Sequence, residues 1–433
     1  MVLKLNINDT NFPCDFEAFL NISRSPVQDI SSQVQSVLSD IRKRGDEALL
    51  EYTKKWDNLV CQNAKDLRLT MKQVDDIACS IPAHEMVALK LAHERISAYH
   101  KQQLPQNYET TDNVGVKLGW RWTAVDAVGL YVPGGSAAYP SSVLMNAIPA
   151  QVAGVERIVV VTPPGQLNPL VVAALKLCGI KEIYTIGGAQ AIAALTYGTQ
   201  TIKSVDMITG PGNAFVAEAK RQVFGIVGID MVAGPSEILV IADENANPEW
   251  LAADLLSQAE HDVVAQSILI TSSQEVADKT EGWVQKHLQN LERADIARKS
   301  WQDFGAIIIV DNLEQACELS NKIAPEHLEV MTKNPEALLG KCKHAGSIFL
   351  GAFTPEALGD YLAGPNHVLP TTRSARFSSG LGVLNFMKRT SYIQGSQASA
   401  NQLHEAVGIL ADGEKLGAHA LSARLRMNQR ENK

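Results

Sequence analysis

From residue 127 onward the chain alternates short apolar runs rich in β-branched residues with segments of helical length, and it does so twice. In the first series AVGLYV (127–132), RIVVVT (157–162), KEIYTI (181–186) and VDMIT (205–209) alternate with helix-like segments around 141–153, 168–178, 189–196 and 214–224. A second series, EILVIA, QSILIT, GAIIIV, LEVM and AGSIFLG, begins near 237 and alternates with helix-like segments at about 248–260, 274–291, 312–322 and 335–343. A strand that is apolar on both faces needs cover on both, and an intervening helix returns the chain to run the next strand parallel. The pattern therefore predicts two doubly wound, mainly parallel α/β units. No strong self-similarity links them, so the sequence gives no sign of a duplication.

The flanks read differently. Val34, Val37, Leu38 and Ile41 fall at helical spacing, Gly45 stops that helix, and Asp46 is placed to cap the next. After Pro82, the residues Leu89, Ala92, His93, Ile96 and Tyr99 line one helical stripe. VGVKLGWRW (114–122) then alternates Val114, Val116, Leu118, Trp120 and Trp122 against glycine and charge, as a half-buried strand does. Beyond about 365 the pattern loosens through GPNHVLPTTRSARFSSGLG and ends in helical period from about 396 to 427. The domains expected are an N-terminal helical segment packing on the first α/β domain (1–112), a first α/β domain with the dinucleotide loops (113–236), a second with the metal and catalytic candidates (237–365), and an extended loop with a helical tail (366–433). A loosely attached helical end of this kind is expected to dock on another subunit.

A chain of 433 residues has room for about three domains. With 45% hydrophobic and 20% charged residues it has an ordinary globular composition, and a net charge of −8 argues against nucleic acid as a partner. The start, MVLKLNINDTNFPCDF, lacks the apolar core of a signal peptide, and no run reaches the roughly 18 apolar residues of a membrane span. No membrane partner and a cytoplasmic location are expected. The cysteines, Cys14, Cys61, Cys79, Cys178, Cys317 and Cys342, are scattered without a CxxC pair, and are expected to be reduced and mostly buried.

Three strand-to-helix junctions carry glycine: YVPGGS (131–136), IGGAQ (186–190) and ITGPGNAF (208–215). Backbone amides at such turns bind a pyrophosphate, although none has the spacing G-x-G-x-x-G, so plain tight turns fit equally well. Of the histidines, His84, His93, His100, His287, His344 and His404 lie in polar or amphipathic helical contexts and are expected to pack or face solvent. His261, His327, His367 and His419 remain. In LLSQAEHDVVAQ (255–266), Gln258 and His261 are spaced i, i+3, on one helical face. His327 follows Glu326 in APEHLEV, where a helix gives way to a strand, and His367 lies seven residues after Asp360 in a glycine- and proline-rich loop. Gln258, His261, Asp360 and His419 make a nitrogen and oxygen donor set suited to zinc or a harder divalent ion such as manganese. Spacing alone does not assemble them.

Taken in order, RGDEAL, GLYVPGG, GGAQAIAALTYGT, GPGNAFVAEAKRQV, AGPSEILVIAD, DLLSQAEHD, APEHLE, AGSIFLG, GPNHVLPT and KLGAHALSARLR resemble the histidinol dehydrogenase family over essentially the whole chain. With the strand pattern, this gives the expected fold: α/β, two incomplete Rossmann-like domains, doubly wound and mainly parallel, with the N-terminal helical segment and C-terminal helical tail. The resemblance implies a two-step, four-electron oxidation of L-histidinol through L-histidinaldehyde to L-histidine, the last steps of histidine biosynthesis, with two NAD and one zinc ion per subunit. It implies that Gln258, His261, Asp360 and His419 bind the metal. It implies that His327 takes the hydroxyl proton and Glu326 activates water. Substrate contacts fall on Ser236, Gln258, His261, Glu326, His327, Asp360, His367, Glu414 and His419. NAD contacts fall on Tyr131, Gln190 and Asn213, one in each glycine loop. The family resemblance further implies a homodimer with shared sites, Glu414 and His419 reaching the partner's site. On one straight helix these two stand about 140° apart, which implies separate roles.

Other readings compete. The same scaffold serves a zinc-dependent dehydrogenase of another small alcohol. A thiol mechanism needs a reactive cysteine such as Cys178 in ALKLCGIKE, yet its place at the end of an apolar helix predicts burial. An inactive NAD- or amino-acid-binding protein has no need of a base beside a water-activating carboxylate.

Overall fold

The computed structural model describes residues 2–24, 30–134, 139–165, 167–232 and 234–427. In chain order its strands are β1 (Leu3–Asn6), β2 (Tyr108–Thr111), β3 (Lys117–Ala124), β4 (Ala127–Tyr131), β5 (Arg157–Thr162), β6 (Glu182–Thr185) and β7 (Met207–Thr209). They continue as β8 (Gly228–Ile229), β9 (Glu237–Ala242), β10 (Gln266–Thr271), β11 (Ala306–Ile309), β12 (His327–Met331), β13 (Ser347–Leu350) and β14 (Met387–Gln394). One all-parallel sheet has the order β6-β5-β4-β7-β8. The other, also all parallel, runs β1-β11-β10-β9-β12-β13. Counted from β4 and from β9, both units read 3-2-1-4-5, with β1 added at the outer edge of the second. Each is thus a Rossmann-like sheet short of its last strand.

The alternation that predicted the sheets also sorts their faces. In the first, Val128, Leu130 and Val160 join the core under helices Pro140–Ala153 and Pro169–Leu177, while Tyr131, Val159 and Val161 face Gly188–Tyr197 and Ala214–Val223. In the second, Ile238, Val240 and Leu269 pack on Pro248–Ala259, whereas Leu239, Ile241, Ile268 and Ile270 pack on Leu313–Ile323.

Residues 1–112, expected to be helical and to pack on the first unit, divide between the two. Leu3–Asn6 is a strand paired with β11, and Phe12, Phe16 and Phe19 pack in the second unit's core. Helices Ser31–Arg44 and Asp46–Trp56 pack on the first. Gly45, at φ 61°, both ends one of these and caps the other, so Asp46 is the first helical residue instead of the cap. The strand expected from Val114 begins at Lys117, because Asp112 Oδ1 accepts the N–H groups of Val114 (3.0 Å) and Val116 (2.9 Å) and turns the chain.

The stretch read as loop and tail after 365 contains β14, which pairs antiparallel with β3 along its whole length and completes a three-stranded ribbon with β2. All of β14 except Met387 is exposed, so it lacks the alternation that marks a half-buried strand. The tail is two helices, Gln397–Gly413 and Gly417–Arg424, broken at Glu414 and Lys415, the latter at φ 62°. The angle drawn between Glu414 and His419 on one straight helix therefore does not apply. Among the described residues no helix is long and apolar enough to cross a membrane.

Candidate active site

Tyr131 ends β4, Gly187 follows β6 and Asn213 follows β7. The three glycine loops thus lie at the carboxyl edge of the first sheet, around its switch point between β4 and β7, where open α/β sheets bind ligands. Gly135 and Ser136 of YVPGGS lie outside the described residues. In the second sheet the candidate residues gather at the matching switch point, between β9 and β12, but at the amino edge: Ser236 precedes β9, Glu326 precedes β12, and His327 begins it. Ile229, ending β8, and Glu237, starting β9, are eight positions apart, a span of at most about 28 Å. That short connection ties one sheet's carboxyl edge to the other's amino edge. Asn366 ties the two units further, its amide donating to Met145 O at 2.5 Å, while the next residue, His367, holds Nδ1 3.1 Å from Asp360 O. Tyr139, after the first glycine loop, is near enough to Tyr361 to raise its phenol electrostatically, although burial is the larger cause.

Gln258, on helix Pro248–Ala259, is fully buried, and its Nε2 lies 3.2 Å from His261 Nδ1 in the turn just beyond that helix. Gln258 Oε1 is buried without a hydrogen-bond partner. Asp360, on Glu356–Tyr361, places Oδ1 3.9 Å from His327 Nε2 and 3.9 Å from His367 Nδ1. His261 lies close enough that its charge would disfavour those of His327 and His367. An unpartnered amide oxygen, imidazole nitrogens and a carboxylate are the donors a zinc-type ion takes, so Gln258, His261 and Asp360 fit a divalent cation. His327, Glu356 and Asp360 also offer donor atoms within 4.8 Å of one another.

His327 and Glu326 are both buried. Burial drives the His327 imidazole down to about 4, so it is neutral near pH 7. Its Nδ1 lies 3.0 Å from the Glu237 carbonyl oxygen, and its Nε2 is buried without a partner. Burial likewise holds the Glu326 carboxyl well above the usual range, with the charges of Glu237 and Asp360 adding to the effect. The result is a dry carboxyl beside a neutral imidazole with a free lone pair, the equipment for moving protons at a reacting carbon.

At the glycine loops, Tyr131 is buried, its phenol is pushed up to about 12 by burial, and its Oη accepts the Gly188 N–H at 3.1 Å. Gln190 Nε2 donates to Asp57 Oδ2 at 3.1 Å, and Asn213 Oδ1 caps helix Ala214–Val223 through the Val216 N–H. The structure thus gathers Gln258, His261, Glu326, His327, Asp360 and His367, with Ser236 adjoining. It does not bring in Glu414 or His419, which stand exposed on the tail; among the described residues no side-chain hydrogen bond or ion pair links them to the cluster.

Sequence reasoning missed Glu356, whose Oε1 is 3.3 Å from His327 Nδ1, and Glu237, whose backbone holds both Glu326 and His327. Glu237 carried a signal, an acid opening the otherwise apolar run EILVIA. Asp57 carried none, since only the fold brings it to Gln190. Cys178 is buried and its thiol is pushed up to about 12 by burial, which removes it as a nucleophile.

Glycine loops at the carboxyl edge of one parallel sheet, and a dry carboxyl and imidazole pair at the amino edge of another, are parts that suit a dehydrogenase. Residues 21–427 match the family model described as histidinol dehydrogenase. The histidinol dehydrogenases of Rhodospirillum rubrum and Rhodopseudomonas palustris are 55% and 56% identical to the chain, each match covering 99% of it and 99% and 100% of the relative. The crystal structure of histidinol dehydrogenase from Elizabethkingia anophelis superposes with a TM-score of 0.93 at 35% identity, covering 98% of both chains. The chain belongs to the histidinol dehydrogenase family.

Proposed function

We propose that the chain oxidises L-histidinol through L-histidinaldehyde to L-histidine, closing histidine biosynthesis in the cytoplasm, with two NAD consumed and one zinc ion per subunit. The observation that carries this reading is the buried Glu326 and His327 pair beside Gln258, His261 and Asp360. The metal would be held by Gln258, His261, Asp360 and His419 of the partner subunit. When bound, it orients the substrate's imidazole and amino nitrogens, as an open catalytic zinc site does. NAD, held by Tyr131, Gln190 and Asn213, supplies the hydride acceptor.

The rest is done by the chain's own groups. His327, with hydrogen on Nδ1, takes the substrate hydroxyl proton on Nε2 as hydride leaves the carbinol carbon. Glu326, once ionised, takes a proton from the water that adds to the aldehyde carbon, while His327 returns its Nε2 proton to the carbonyl oxygen, giving a gem-diol and a neutral imidazole again. His327 then accepts a hydroxyl proton again as the second hydride leaves, and the product is the carboxylate. Ser236, His367 and Glu414 of the partner subunit complete the substrate contacts, and burial around the pair keeps bulk water from the intermediate aldehyde. A homodimer follows from the need for Glu414 and His419. The exposed apolar tail residues, Ile409 and Leu410 among them at 61% and 70%, support it.

The test is NADH formed per histidinol consumed by zinc-loaded enzyme, repeated after chelation and with His261→Asn. Two NADH, lost in both controls, are expected. One NADH with released aldehyde would remove the water step from Glu326, and none would point to another alcohol.

A further inference from the structure

The start of β9 is held by more than a sheet needs. Glu237 is the only charged residue of that strand and is 3% exposed. Its main chain serves both members of the candidate pair: its N–H donates to Glu326 Oε2 at 3.0 Å, and its carbonyl oxygen lies 3.0 Å from His327 Nδ1. A carbonyl only accepts, so Nδ1 must carry the hydrogen, leaving Nε2, buried and unpartnered, as the lone pair on the Asp360 side. This peptide position thus holds the Glu326 carboxyl and makes the shorter of two contacts at His327 Nδ1, the other being Glu356 Oε1 at 3.3 Å, which together determine which His327 nitrogen is basic.

The Glu237 side chain plays no part in those two bonds and is gripped from elsewhere. Its carboxylate pairs with Arg24, the side chains being 4% and 9% exposed, and Arg24 Nη1 also reaches the Ser236 carbonyl oxygen at 3.4 Å. Glu237 Oε1 accepts the Thr372 N–H at 3.1 Å. Thr372 and Arg373 deliver that N–H from consecutive left-handed conformations, φ 52° and 62°, which are costly for a β-branched threonine. Nearby, Thr371 Oγ1 accepts the Gly234 N–H at 2.6 Å. An ion pair this deep adds little stability over an apolar one, because desolvation offsets its attraction. What it does supply is a fixed position for residues 236 and 237.

We propose that Arg24 is a positioning residue for the reaction: by clamping Ser236 and Glu237 it holds the backbone that aligns Glu326 and fixes the tautomer of His327. This rests on the reading that Glu326 and His327 carry the chemistry. Among the described residues Arg24 makes no hydrogen bond to either; its bonds go to Glu237 and the Ser236 carbonyl, and its charge acts on Glu326 through space, while the residue itself comes from the N-terminal segment that also supplies β1 to the second sheet.

The experiment compares Arg24→Gln and Arg24→Lys in the full-length, zinc-loaded enzyme, alongside His327→Gln. For Arg24→Gln, kcat on histidinol should fall about ten- to a hundredfold, as a misalignment near 1 Å does, with KM for histidinol and NAD within about twofold. Arg24→Lys, which keeps the charge and loses the fork, should recover part of the loss. In ¹⁵N-histidine-labelled enzyme, the ring signal absent from His327→Gln should report hydrogen on Nδ1, and should shift toward a tautomer mixture in Arg24→Gln. An unchanged kcat, or an unchanged His327 ring signal, overturns the proposal. If Arg24→Gln does not fold, the same two readouts on Arg24→Lys decide it. Full activity in His327→Gln would instead overturn the catalytic reading, whatever the ring signal in Arg24→Gln shows about the clamp.

Discussion

Glu326 and His327 are neighbours that drying pushes in opposite directions, the acid up and the imidazole down, because each loses its charged form on burial. On the proposed roles, the consequence is a separation of the two half-reactions in pH. His327, pulled to about 4, is a free base across the neutral range, whereas Glu326 ionises only above the ordinary carboxyl range. As pH falls, kcat/KM for histidinaldehyde should therefore drop first, and kcat/KM for histidinol at a lower pH. Glu326→Gln should cost the aldehyde step about 10²–10⁴-fold, spare the alcohol step by comparison, and erase the upper limb. Steady-state kinetics on each substrate alone check this; coincident limbs would place the water step on another group. At this scale the sequence was informative where partners lie within a few residues of each other, although His261 stands in the turn just past the helix and not on its face. Gln258 and His261 declared themselves by spacing and stand 3.2 Å apart. Glu356 and Asp57 gave no such sign, since their partners come from other segments.

Among the elements, the third glycine loop is held most firmly. Gly210, at φ 111°, lies so close to Tyr131 that a Cβ would collide with the Tyr131 carbonyl oxygen, so no other residue fits. Its carbonyl accepts from Lys220 Nζ at 3.0 Å and its N–H donates to Asp230 Oδ2 at 2.8 Å, while Lys220 and Asp230 pair with each other, 4% and 1% exposed. Asp230→Ala leaves a buried ammonium unpaired and should cost about 3–5 kcal/mol of stability. If this loop holds the cofactor as proposed, KM for NAD should rise more than KM for histidinol, read from steady-state kinetics below the lowered melting temperature. An unmoved KM for NAD would detach this loop from the cofactor. The same scale shows where patterns mislead. The apolar runs become the sheets, but LKLN alternates over only four residues, too few to stand out from the helical segment around it, and β14 hides because neither of its faces is buried.

The molecule as a whole leaves its tail without cover: Leu403, Val407, Ile409, Leu410, Leu421 and Leu425 are all exposed. If two copies share sites as proposed, His261→Asn and His419→Asn, each inactive alone, should complement when co-expressed. Half of randomly assembled dimers are mixed and each mixed dimer holds one intact site, so about a quarter of wild-type activity should return. Activity of the mixture no higher than that of either variant would place His419 in its own chain's site or outside any site. What the sequence by itself determined was the two parallel sheets, because strands buried on both faces need apolar runs, and such runs alternating with helical segments form βαβ units. It also determined the local donor pair on one helix end, because helical spacing is a property of the chain alone. Only the tertiary structure decided that the candidate residues meet at the amino edge of the second sheet, while the glycine loops lie at the carboxyl edge of the first. Only it decided that β1 and Arg24 travel from the N-terminus to the second unit. These depend on contacts between residues hundreds of positions apart, and burial, which perturbs Glu326 and His327, exists only once those contacts have formed.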